Sequence, residues 1–275
     1  MANYKIKDKF DRSSAVWNKF IHFSADNLKK SNYDLFLKAN DKLAVKEWIV
    51  KDLNIGGDCI LPPMYVHEDF EEVVEHTTDS RYWLKCNLFS GLNAKVIDGN
   101  FIIGRSTETT DKTGFENLKT SIINMCKRDS FSMYHYDKGG IPLFFSEKEL
   151  KDIVDYKHFF VYGEHFFTQT VYNIEKGTEY IEECMVWTDG SLVGAQLVNS
   201  ATRNFVIPKN WKEQIDVASK IAKHFDFIRI DVLSNEKSKK FYIAEIDTLP
   251  RRGNYKAKAI HDIIEPILLK RFDIS

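Results

Sequence analysis

Apolar residues recur every three or four positions from Ser13 to about Leu53, with Ala44, Val45, Trp48, Ile49 and Leu53 forming one stripe. That period predicts helix, and Asp41 stands where an N-cap carboxylate accepts the first unsatisfied backbone N–H groups. The glycine pair in Asn54-Ile-Gly-Gly-Asp58 ends the pattern. Pro62 and Pro63 shape an extended entry, and His67 to His76 reads as a short helix. The period then changes. Arg81 to Cys86 is aromatic and apolar with a charge near each end, which predicts a strand. A turn over Asn87 to Gly91 leads into further strand from Asn93 to Ile103. Phe115 to Lys127 returns to the helical period, with Leu118, Ile122, Ile123 and Cys126 on one face.

Phe159 to Tyr172 is nearly continuous β-forming sequence, and Glu179 to Val198 reads as a hairpin turning at Asp189-Gly190. Trp211 to His224, opened by Pro208, places Ile215, Ala218, Ile221 and Ala222 inward. Two alternating runs follow, Phe227 to Leu233 and Phe241 to Asp247, joined by the polar loop 234–240. A last helix is expected from about Ala257 to Lys270. Helices, then strands mixed with helices, then antiparallel strands predict an α+β fold with two lobes. The expected division is a helical region over 1–78, a smaller lobe over 79–172 and a larger lobe over 173–275.

The composition narrows the class. A chain of 275 residues with 43% hydrophobic and 29% charged residues is ordinary globular protein. Its 39 basic and 40 acidic residues nearly cancel, so no basic excess argues for a nucleic-acid partner. No run of eighteen apolar residues suggests a membrane span, and the first twelve residues do not read as a signal peptide. Cys59, Cys86, Cys126 and Cys184 are scattered without a CxxC pair, so buried thiols and a cytoplasmic location are expected.

Chemistry concentrates in the last hairpin. Residues two apart on a strand share a face, so Arg229 and Asp231 point one way, as do Glu245 and Asp247. If the strands pair across their loop, three carboxylates and one guanidinium gather on one surface. Shielded together, three acids need a cation, and hard oxygen ligands at that density suit magnesium beside nucleotide phosphates. The solvated polar face of an antiparallel sheet carries the same alternation. Lys85, ending its strand six residues before Gly91, could aim at phosphate with the Ser90-Gly91 backbone closing over the anion. Lys42 or Lys46 could supply a second cation.

These residues carry a resemblance. Arg229 to Pro250, RIDVLSNEKSKKFYIAEIDTLP, resembles the metal-binding hairpin of ATP-grasp ligases. The resemblance implies ATP and magnesium as cofactors, with Asp231, Glu245 and Asp247 holding the metal and Arg229 stabilising the transferring phosphoryl group. Asp247 stands where that family usually has Asn, which adds a negative charge. Asp41-Lys42 resembles the family's Asp-Lys, and WLKCNLFSG its second lysine, Lys85, with the loop of Ser90 and Gly91 that closes over ATP. Lys176-Gly-Thr-Glu-Tyr180 resembles the segment after the adenine hinge, which implies Glu179 on the ribose and Gln169, Thr170, Val171 and Tyr172 at the hinge. A second register puts Glu182 and Glu183 at the hinge instead.

Within the superfamily, Asp41-Lys-Leu-Ala-Val-Lys-Glu47, Leu84-Lys-Cys-Asn87 and Phe227-Ile-Arg-Ile-Asp231 resemble the TupA-like, teichuronopeptide-biosynthesis family. That resemblance implies a carboxylate–amine ligase working through an acyl phosphate on small-molecule or glycan substrates, such as a uronic acid amidated by an amino acid. Arg251 and Arg252 replace glycines that face the acceptor in relatives, which implies an anionic substrate. A short N-terminal region leaves room for a homodimer in which a second subunit completes the acceptor site. A kinase of the same fold and a non-catalytic ATP-binding protein are the rival readings. Gly99 to Ser106 nearly fits a P-loop, but Arg105 stands in the lysine position and the middle reads as strand. His158 and His165 lie in aromatic strand and read as structural histidines.

Overall fold

A computed structural model describes residues 16–88, 92–103, 109–126, 142–172, 182–193, 205–235, 239–250 and 260–272. The first helical stretch is three helices, α1 (Val16–Ser31), α2 (Tyr33–Ala39) and α3 (Lys42–Lys51). Each break has a polar cap. The Asn32 side chain accepts from the Leu35 N–H at 3.1 Å, and Asp41 accepts from Leu43 and Ala44 at 2.8 and 3.0 Å.

Six strands make the first sheet: β1 (Tyr65–His67), β2 (Arg81–Cys86), β3 (Asn93–Ile97), β4 (Asn100–Ile103), β5 (Thr109–Thr110) and β6 (Phe144–Lys148). Their order is β1-β6-β2-β3-β4-β5, with every pair antiparallel. Helices α4 (Phe70–His76) and α5 (Lys112–Cys126) bring Phe70, Val73 and Phe115 against Tyr82, Leu84, Ala94, Val96 and Phe144. Alternation therefore turns Trp83, Lys85, Phe145 and Glu147 to the other face. The P-loop-like segment is confirmed as strand over Asn100–Ile103, entered by a turn at Asp98-Gly99 with positive φ.

The second sheet holds β7 (Val154–Val161), β8 (Glu164–Tyr172), β9 (Glu182–Trp187), β10 (Phe227–Ser234) and β11 (Phe241–Asp247), in the order β11-β10-β7-β8-β9. The sequence read as one β stretch ending at Tyr172 is a hairpin. It turns at Tyr162-Gly163, both with positive φ, and a Cβ on Gly163 would sit 3.1 Å from Lys223 Cα. Strands through Tyr172 were expected in the smaller lobe, but β7 and β8 hydrogen-bond into this second sheet, so the sheets divide between Lys148 and Val154. On one face Tyr156, Phe160, Ile228, Ile230, Val232 and Ile243 pack under α2, α3 and α6 (Trp211–Ala222). On the other, Phe159, Val161, Phe167, Met185 and Phe227 meet α1 and α7 (Glu265–Phe272), which follows π-helical turns at Ile260–Ile264.

A bulge decides the polar strip. The β10–β11 register shifts between Asp231 and Val232, where Ala244 is the extra residue. Ile243 thereby stays opposite Val232 in the core, while Glu245 comes opposite Asp231 and Asp247 opposite Arg229.

Beneath the sheet runs a buried polar chain whose directions can be worked out. The Lys240 carbonyl can only accept, so Asn210 Nδ2 donates to it at 3.2 Å and Asn210 Oδ1 accepts from Gln214 Nε2. Gln214 Oε1 then faces His158 Nε2 at 3.2 Å, which must carry the hydrogen. His158 Nδ1 is left to accept from the Thr168 hydroxyl at 2.8 Å, and that hydroxyl accepts from His165 Nε2 at 2.9 Å. Both rings are neutral, as expected for structural histidines. Burial lowers His158 from 6.5 to about 4. Because the unfolded ring takes up a proton first, this contribution to stability is complete above pH 6.5 and is lost as pH falls towards 4. Urea unfolding between pH 7 and 4 should show roughly 3 kcal/mol of such loss. His158→Gln should flatten that slope, and an unaltered slope would show that another group carries it.

Candidate functional site

The exposed end of the second sheet gathers charge from three adjacent strands. Lys157 on β7, Asp231 on β10 and Glu245 on β11 lie in one cross-strand row, with Arg229 and Asp247 paired one step along. Asp231 is buried and shared: Arg229 Nε and Nη2 donate to it at 2.6 and 2.9 Å, and Lys157 Nζ at 2.6 Å. Lys157 also donates to Asp155 at 2.6 Å, and Arg229 Nη1 lies 3.3 Å from Asp247. Burial alone would raise Asp231, but the charges of Arg229 and Lys157 outweigh it and hold the carboxyl below its usual range. Asp247 is raised, by burial first and then by Glu245 and Asp231 against the opposing pull of Arg229. Asp155 is raised by burial, with Asp231 adding to it against Lys157.

The first sheet contributes cations through α3. That helix buries Val45, Trp48 and Ile49 in the core of the second sheet, and turns Lys42 and Lys46, one turn apart, towards the first. Lys42 Nζ donates to the Cys86 carbonyl at 3.2 Å and stands 4.0 Å from Glu245, so it touches both sheets. Lys46 is buried against Glu147 on β6, which also accepts from Lys85 Nζ at 2.5 Å. Burial alone would raise Glu147, but Lys85 and Lys46 together keep it low. Asn87 fixes the junction. Its Nδ2 donates to the capping Asp41 at 2.9 Å, and its Oδ1 accepts from the Leu143 N–H at 2.8 Å.

The expected site residues are therefore partly assembled. Arg229, Asp231, Glu245, Asp247 and Lys42 meet on one strip, and Lys85 lies on the neighbouring sheet beside Cys86, whose carbonyl Lys42 holds. Gln169, Thr170, Val171 and Tyr172 lie within β8, paired to β7 on one side and β9 on the other, so both ladder edges are occupied. Ser90, Gly91, Glu179, Arg251 and Arg252 lie outside the described residues. Asp155, Lys157, Glu147 and Asn87 were not anticipated. A charge pair two apart in the apolar strand VDYKHFFV, and a single acid in FFSEK, were the available signals.

Magnesium can be tested against these donors. Asp155, Asp231, Glu245 and Asp247 present hard oxygen ligands on one face, set against Lys157 and Arg229, and Asp155 Oδ1 is buried without a hydrogen-bond partner. The kind of donor and the excess of negative charge fit a divalent ion. The arrangement is not a finished cage: among the described residues no three acidic, His or Cys side chains converge enough to hold a metal as they stand. Arg229 and Lys157 occupy both oxygens of Asp231.

A family model described as TupA-like ATP-grasp matches residues 23–272. The chain belongs to the TupA-like ATP-grasp family. Among solved structures it is similar to the ATP-grasp ligase PsnB with its minimal precursor, at 13% identity and a TM-score of 0.40, over 87% of this chain and 62% of that one. The D-alanine–D-alanine ligase of Bacillus anthracis with ATP gives 15% identity and a TM-score of 0.40, over 86% and 69% of the two chains. The Helicobacter pylori D-alanine–D-alanine ligase gives 12% identity and a TM-score of 0.43, over 88% and 66%. This ATP-grasp chain thus spans about three-fifths of the PsnB chain and about two-thirds of either D-alanine–D-alanine ligase. No curated protein matches it significantly. No helix among the described residues is long and apolar enough to cross a membrane.

Because Asn87 joins α3 to both β2 and the start of β6, Asn87→Ala should leave Asp41 and the Leu143 N–H short of a partner. The expected cost is about 1–3 kcal/mol in urea unfolding. Asn87→Asp should cost more, since it sets a second carboxylate against Asp41, and a milder effect for Asp than for Ala would refute this role.

Proposed function

We propose that this chain is an ATP- and magnesium-dependent ligase that joins a carboxylate to an amine through an acyl phosphate. The reading rests on one juxtaposition in an ATP-grasp chain: Arg229, Asp231, Glu245 and Asp247 on a single strip, with Lys42 reaching Glu245 from the helix that also binds the first sheet. Cations for phosphates and oxygens for a divalent ion then flank one space. Lys42 and Lys85 would neutralise nucleotide phosphates, and Arg229 the phosphoryl group in transfer. Asp231, Glu245 and Asp247 would hold magnesium, which supplies positive charge beside the transferring group when bound.

No side-chain nucleophile is needed. An oxygen of the substrate carboxylate attacks the terminal phosphorus, the bond to the oxygen shared with ADP breaks, and ADP leaves with the electron pair. The amine nitrogen adds to the acyl carbon, inorganic phosphate departs with the C–O electrons, and the nitrogen loses a proton to give the amide. The protein's part is orientation and charge, and the exclusion of water that would hydrolyse the acyl phosphate. The resemblance to TupA-like proteins, with Arg251-Arg252 after the metal hairpin, supports an anionic surface-glycan or amino-acid substrate such as a uronic acid.

The test is ADP and phosphate release with magnesium across amino acids and uronic or sugar acids. Release that requires both a carboxylate and an amine, with an amide found by mass spectrometry, is expected. A phosphorylated hydroxyl as product would replace the ligase with a kinase. Asp231→Ala strands Arg229 and Lys157, so the sharper variant is Glu245→Gln, at a half-exposed position. It should lower turnover by at least about 100-fold with its unfolding midpoint kept. Undiminished turnover in Glu245→Gln would remove that carboxylate from the metal site.

A further inference from the structure

We infer that Lys46 is a positioning residue for nucleotide binding: by sharing Glu147 it leaves Lys85 with positive charge to offer a phosphate. This rests on the nucleotide reading above. Glu147 has 1% of its side chain exposed, Lys46 7% and Lys85 22%, so the two lysines differ in what they can reach. Lys46 is committed to the protein. Its ammonium contacts Glu147, donates to the Leu61 carbonyl at 2.8 Å and lies 5.6 Å from the centre of the Phe145 ring. Lys85 meets the same carboxylate from β2, on the sheet face that α4 and α5 leave uncovered.

One buried carboxylate between two ammonium groups leaves a single positive charge, and the more exposed partner presents it. Were Lys46 absent, Glu147 would take Lys85 as its sole counterion, because a buried carboxylate without a cation is costly. A phosphate would then compete with a shielded acid for the Lys85 ammonium. Lys46 thus acts on the ligand through Glu147 without touching it. A plain structural brace between α3 and β6 would use the same contacts, but it predicts a different response to removing both charges.

That difference is measurable by calorimetric titration of the non-hydrolysable analogue AMP-PNP with magnesium. Lys46→Met should weaken binding by about ten-fold or more, the order expected of one charge lost beside a partly shielded site. Adding Glu147→Gln to Lys46→Met frees Lys85 again and should restore affinity to within about three-fold of wild type. Glu147→Gln alone, which keeps both lysines and removes the acid, should tighten binding by at least about two-fold, and it carries the test should Lys46→Met fail to fold. Wild-type affinity in Lys46→Met, a double variant as weak as Lys46→Met, or weaker binding in Glu147→Gln would each overturn the inference. No binding by the wild-type chain would overturn the nucleotide reading itself, and this inference with it.

Discussion

Two buried carboxylates, each shared between two cations, set the terms for everything around them. Glu147 lies between Lys46 and Lys85, and Asp231 between Arg229 and Lys157. Taking a carboxylate out of water costs several kcal/mol, and only close cations with good hydrogen bonds return it. Arg229 is only two residues from Asp231, but the other cations come from far along the chain: Lys46 is 101 residues from Glu147, Lys85 is 62 from it, and Lys157 is 74 from Asp231. Each cluster therefore forms only when separate elements have been brought together, α3 with β2 and β6 in one case, β7 with β10 in the other. The polar site is a product of the fold's long-range order, not of any one motif.

Helix α3 makes the two clusters neighbours. It is apolar on the side that meets the second sheet, where Trp48 packs edge-on to His224 and Phe225 at 5.4 and 6.1 Å. Its basic side faces the first sheet, and its capping Asp41 is held by Asn87 at the end of β2. A short parallel bridge between Ile60 and Ile243, just beyond that helix, ties the connecting segment to β11. Rotating or fraying α3 would move Lys42 away from Glu245 and loosen the Glu147 cluster at once. A single cap and a single buried asparagine thus govern the spacing of the cations.

What could be read in advance follows the range of the interaction. Local periodicity gave α3 with its Asp41 cap, the inward face of α6 and the β2 strand, because each depends on neighbours within a few residues. The β10–β11 alternation placed Arg229 with Asp231 and Glu245 with Asp247, although the bulge at Ala244 that preserves this placement left no clear mark. The residues assigned to the hinge fall within strand β8. Gln169 to Tyr172 ends a β-forming run, and its assignment to the hinge comes from resemblance; the strands that flank it on both sides are invisible to a window of sequence. Glu147, Lys157 and Asn87 were missed for the same reason: each looks unremarkable until a distant element supplies its partner. Tyr162-Gly163 was legible in principle, as an aromatic-glycine break inside a long β run, and was passed over because the apolar residues on either side read as continuous.

Charge is distributed so that the two sheets are complementary. Around Glu147 the described charges leave a surplus of one cation. Around Asp231 the acids Asp155, Glu245 and Asp247 reverse the balance, even with Lys42 counted. A ligand that is anionic at one end and delivers a divalent cation at the other would satisfy both at once, and neither sheet alone presents that pattern. Asp231 already accepts three hydrogen bonds from Arg229 and Lys157, so a divalent ion beside it would share those oxygens with two cations rather than fill a vacant cage. Arg229 and Lys157 compensate the buried Asp231 and also reach Asp247 and Asp155, which is why a strip this acidic can persist at the edge of an apolar core.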